Sequence, residues 1–70
     1  MLRHAVVSTS VAGVGYDATS RTLELEFRSG AVYHYLDVPY TVAQALCRSS
    51  SVGAYFSRHI RNVYDYQRVE

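Results

Sequence analysis

Three histidines, one cysteine and two closely spaced glycines are the residues of this 70-residue chain with the most obvious chemical uses. His4, His34 and His59 are general-base candidates, because imidazole changes charge near neutral pH. They stand thirty and twenty-five residues apart and Cys47 is alone, so the spacing of a metal-ligand set is missing. No metal, cofactor or catalytic residue is assigned. His34 and Glu24 could form a histidine–carboxylate pair, but on an exposed sheet face with no evident nucleophile or cleft. The chain therefore reads as a non-enzyme. Cys47 has no base near it in sequence and is expected to be a small buried apolar residue on a helix. Gly13-Val14-Gly15 matches the opening of a dinucleotide loop, yet no third glycine follows and no helix starts there. The pair is expected to mark a bulge, or a place where another backbone comes close.

Arginine and tyrosine carry the remaining chemistry. All seven basic residues are arginine, and seven Tyr with two Phe supply the aromatics in the absence of Trp. The net charge of +1 does not by itself imply a polyanion partner. Its distribution is uneven. Residues 44–68 hold Arg48, Arg58, Arg61 and Arg68 against Asp65, a formal +3. Residues 17–37 hold Asp17, Glu24, Glu26 and Asp37 against Arg21 and Arg28, a formal −2. The positive stretch also carries His59, Tyr64 and Tyr66. Arg pairs bidentately with phosphate and Tyr stacks on unpaired bases. Arg58 and Arg61 are three apart and are expected to share one helix face.

The elements that position these residues centre on Arg21 to Pro39. Leu23, Leu25 and Phe27 alternate with charged residues, the period of a half-buried strand. A two-residue Ser29-Gly30 loop would need positive φ at both positions, where Ser is a poor first residue, so the three-residue loop Arg28-Ser29-Gly30, which needs it only at Gly30, is favoured over it. That loop pairs Phe27 with Ala31, Leu25 with Tyr33 and Leu23 with Tyr35 on the buried face, and sets Glu24 opposite His34 on the wet one. Upstream, Ala5 to Ser10 is β-rich and Val11 to Asp17 continues as a strand. An irregularity is expected between Ser8 and Gly13, where the alternation changes phase. Asp17 to Ser20 is a polar turn. Downstream, Pro39 reads as the first residue of a helix reaching about Arg48, with Asp37 favouring the positive end of its dipole and Val42, Ala43, Ala45 and Leu46 as its apolar stripe. Ser50 or Ser51 caps a second helix from Val52 to about Arg61, with Val52, Tyr55, Phe56 and Ile60 facing the core. Gly53 predicts close approach by helix one or the sheet. The tail with Tyr64 and Tyr66 is either an edge strand or an extended arm. The fold expected is α+β, a three- or four-stranded antiparallel meander covered on one face by two short C-terminal helices. It is a single domain over residues 1–70 with residues 1–4 frayed. A lone cysteine and apolar runs too short to span a bilayer fit a cytoplasmic protein without a membrane partner.

Val14-Gly15-Tyr16-Asp17, Leu23 to Phe27 with Gly30, Tyr33-His34-Tyr35, Val38-Pro39, Ser50/Ser51 with Gly53, Tyr55-Phe56, Ile60-Arg61 and Tyr64-Asp65-Tyr66 together resemble the KTSC domain family. The likeness covers roughly Val7 to Tyr66. Ser57 departs from it, standing where Asn is expected. The family is named for copies at the C-terminus of some lysyl-tRNA synthetases and also occurs as a free-standing bacterial protein, the form this chain resembles. The synthetase context implies RNA, as tRNA or a single strand, and implies neither aminoacylation nor any catalytic residue. The functional expectation is RNA contact through Arg48, Arg58, Arg61, Tyr64, Tyr66 and Arg68. The alternative is a protein-interaction or homo-oligomerisation module.

Overall fold

The structure, a computed structural model, describes residues 3–70. Five strands form one antiparallel sheet in the order β1 (Arg3–Ala5), β2 (Val11–Asp17), β3 (Thr22–Phe27), β4 (Val32–Tyr35) and β5 (Tyr66–Arg68). Two helices, α1 (Tyr40–Arg48) and α2 (Val52–His59), lie between β4 and β5 in the chain.

The β3–β4 hairpin has the predicted register, with Leu23 opposite Tyr35, Glu24 opposite His34 and Leu25 opposite Tyr33. The Phe27 N–H donates to the Ala31 carbonyl at 2.9 Å, which closes the three-residue loop. Gly30 sits at φ +95°, a conformation that costs glycine nothing. Leu23 and Leu25 are fully buried, each burial stabilising the fold by roughly 1.5–3 kcal/mol. They join Leu46, Phe56 and Ile60 in one core cluster, with Val42 and Phe27 packed against it, so the helices cover the sheet as expected.

The phase change near Gly13 is a β-bulge. Val11 pairs with Phe27 and Gly13 with Glu26, leaving Ala12 as the extra residue. In a regular strand, residues three apart point to opposite faces. The bulge lets Val11 and Val14 both enter the core cluster. A Cβ on Gly13 would lie 3.3 Å from Glu26 Oε1 and 3.6 Å from the Arg3 Cβ, so the glycine admits the neighbouring side chains.

Several expectations are corrected. The sheet has five strands, because both ends of the chain add one. Arg3 and His4 are not frayed: they belong to β1, paired with Gly15 and Val14. Met1 and Leu2, the other two residues expected to fray, lie outside the described residues. Residues 6–10 are a connection, not strand, and Ser8 Oγ accepts the Ser10 and Val11 N–H groups there at 3.3 Å each. Pro39 is the N-cap of α1 and not its first residue, with ψ 148°, and no side chain caps that helix. Asp37 instead adopts φ +57°. Ser51 does cap α2, accepting the Ala54 N–H at 3.3 Å, but α2 ends at His59. The close neighbour of Gly53 is neither α1 nor the sheet but the β1–β2 connection, with Ser10 Oγ 3.1 Å from where a Cβ would stand. Cys47 is exposed, not buried, since α1 turns Ala43 and Leu46 to the core. The tail is a strand, β5, at the sheet edge beside β4.

Candidate nucleic-acid interface

The site is built where β5 completes the sheet. β5 pairs Arg68 with Tyr33 and Tyr66 with Tyr35. Alternation then turns Tyr66 and Arg68 to the same side as Tyr33 and Tyr35, the side that α2 covers with Phe56. The rings form one connected set. Phe27 meets Tyr33 edge-on at 5.6 Å and Phe56 at 5.5 Å. Tyr66 lies 5.5 Å from Tyr33 and 5.6 Å from Tyr35. Each separation falls in the range of rings in direct contact.

An open groove of about 940 Å³ runs over this set, between the β3–β4 turn, the end of α2 and β5. Its basic residues are Arg28 from the turn, Arg61 from the segment after α2, and Arg68 from β5, and no carboxylate lines it. Two of these arginines are held in place. Arg28 Nε donates to the Ser8 carbonyl at 2.6 Å and Arg68 Nε to the main-chain oxygen of Glu70 at 3.0 Å. With Nε used, the terminal nitrogens of each guanidinium keep a forked pair of donors for an anion. Burial pushes the Tyr35 phenol above its ordinary range, Tyr33 and Tyr66 push it the same way, and Arg61 opposes them.

Of the six residues expected to contact RNA, the structure brings together Arg61, Tyr66 and Arg68. Arg48 and Arg58 are exposed but do not line the groove. The shared helix face expected of Arg58 and Arg61 does not exist, because Arg61 lies beyond the end of α2. Tyr64 is half-buried against the core. Arg28, Tyr33 and Tyr35 were missed as groove residues. The signal that would have found the two tyrosines is the β4–β5 pairing, which puts the tyrosines of both strands on one face, while Arg28 reaches the groove from the β3–β4 turn.

Elsewhere polar side chains pair with one another across the other face of the sheet. His34 Nε2 lies 2.7 Å from Glu24 Oε1, the expected pair, and Arg3 Nε lies 2.9 Å from Glu24 Oε2. Arg3 also reaches Glu26 at 3.1 Å. Glu24 is only 9% exposed, so the face expected to be wet is partly covered. This network holds the edge strand β1 and neutralises the carboxylates of β3. Partial burial of its sulfur pushes the Cys47 thiol up, which disfavours the nucleophilic thiolate although the residue as a whole is exposed. No group of three or more potential metal ligands occurs among the described residues, nor does any helix long and apolar enough to cross a membrane.

Comparison with known proteins gives a consistent relationship. The family model of the KTSC domain matches residues 7–64. An uncharacterised protein of Stutzerimonas stutzeri is 41% identical over 71 residues, covering all of both chains. A lysine–tRNA ligase of Trichormus variabilis is 41% identical over 54 residues, which is 77% of this chain and 10% of the ligase. The chain thus spans about a tenth of the length of that ligase. The crystal structure of a KTSC domain protein from Yersinia pestis superposes with a TM-score of 0.96 at 30% identity, covering 99% of this chain and 97% of the other.

Proposed function

The chain belongs to the KTSC domain family, and from that premise we propose that it is a small RNA-contact module whose binding surface is the arginine-lined aromatic groove. The observation that carries this reading is the convergence of Arg28, Arg61 and Arg68, with no carboxylate, beside a set of tyrosine and phenylalanine rings. Phosphates favour the first feature and exposed bases the second. The ligase relatives, whose name gives tRNA as a substrate, add a reason to try tRNA first. The module binds in a bacterial cytoplasm and catalyses nothing itself.

Fluorescence anisotropy with tRNA and with a single-stranded RNA, each at two salt concentrations, tests the proposal. Three arginines on three phosphates of a single strand give a slope of log K against log salt near about −2. Arg61→Ala should make that slope shallower by about 0.7. No binding at tens of micromolar protein in low salt would remove the reading. The competing reading, a self-association module, starts from the strands β1 and β5, each paired on one side only. Sizing with light scattering separates the two: a salt-sensitive monomer supports RNA contact, and a stable dimer without RNA affinity supports self-association.

A further inference from the structure

We infer that the groove takes unpaired nucleotides, with a base lying on the ring of Tyr66 and the flanking phosphates on the groove arginines, so that single strands are bound in preference to duplex. This rests on the RNA-contact reading and narrows it to one ligand class.

The ring geometry decides where a base can go. Tyr33, Tyr35 and Tyr66 already touch one another at 5.5–6.3 Å between centroids, so no base fits between them. Tyr35 and Phe56 are buried at 5% and 8% exposure, whereas Tyr66 is 57% exposed. Tyr66 is therefore the platform, and the others are its support. Its position on β5, between β4 and solvent, fixes the ring against Tyr33 and Tyr35 before any ligand arrives. A ring already packed on two neighbours has less freedom left to lose on binding.

The arginines are arranged for a strand rather than a point anion. They come from three separate segments around the groove, and two are braced through Nε with their terminal nitrogens unpartnered among the described residues. Duplex RNA hides its base faces in the stack and offers shape, phosphates and 2′-hydroxyls. A purely electrostatic groove would favour the duplex, whose phosphates are denser than those of one strand. A stacking platform reverses that order, so strandedness separates the two mechanisms.

The test compares three probes on the intact chain: a short oligoadenylate, an abasic strand with the same number of phosphates, and an RNA duplex of the same length. The oligoadenylate is expected to bind roughly tenfold tighter than either of the others, in line with the stacking of one base on one ring. Tyr66→Leu should lose about that factor for oligoadenylate and leave the abasic strand unchanged, while Tyr66→Phe keeps the wild-type pattern. Thermal melting checks that the leucine variant folds, and should it not, the wild-type ranking of the three probes decides. Equal affinity for oligoadenylate and abasic strand, or a preference for duplex, overturns the base-stacking inference while RNA contact stands. Failure of every probe, tRNA included, overturns RNA contact and this inference with it.

Discussion

Asp17 closes β2, and its Oδ1 accepts the Thr19 N–H at 3.0 Å. That bond favours the ionised form and holds the carboxyl below the ordinary aspartate range, outweighing desolvation. A lowered folded value means the carboxylate contributes stability that is fully present above the ordinary aspartate pKa. The contribution is lost as pH falls through the lowered value. Carbon-detected NMR titration should therefore show Asp17 ionising below an ordinary aspartate. In Asp17→Asn, the acid-side fall in the urea midpoint should become shallower, and an unaltered pH profile would show that the turn does not depend on this charge. The turn was legible from residue types alone, because Asp before a polar stretch bonds its own backbone ahead. Glu24 was not legible in the same way. Its alternation placed it in water, yet Arg3, twenty-one positions upstream, folds over it as an edge strand.

At the scale of elements, the hairpin and the helices were readable because their signals are local. Alternation over Leu23 to Phe27, a glycine at the one position needing positive φ, and a serine before Val52 each act within a few residues. Gly53 was readable only by half: its type announces a close neighbour but not which one. The neighbour is the β1–β2 connection, where Ser10 Oγ would stand 3.1 Å from a Cβ and Ser8 Oγ 3.6 Å. Gly53→Leu should lower unfolding stability by about 1–3 kcal/mol through overpacking at that connection. Urea denaturation measures it, and Ser10→Gly in the same chain should recover part of the loss. Full wild-type stability in Gly53→Leu would mean that α2 does not lean on residues 8–10. The boundaries of α1 and α2 missed by one or two residues, where backbone geometry at Pro39 and after His59 takes over from side-chain pattern.

For the whole molecule, size sets the terms. A 70-residue domain has a total stability of roughly 3–10 kcal/mol, and this one has no disulfide to raise it. Leu25→Ala, at a fully buried position opposite Tyr33, should cost about 3 kcal/mol. At this size that lowers the melting temperature by roughly 12–24 °C, and a shift of only a few degrees in a thermal scan would show that the core repacks around the gap. By itself the sequence determined the α+β class and the covering helices and favoured the hairpin register, because propensity, period and turn chemistry act between near neighbours; the family was legible separately, from the resemblance of its motifs. Only the tertiary structure decided which side chains share a surface. It separated Arg48 and Arg58 from Arg61 and Arg68, and it drew Arg28 out of a stretch with a negative balance to stand beside them. The physical reason is the β4–β5 pairing, made across thirty residues of intervening helix and turn and held by backbone hydrogen bonds that any residue types can form.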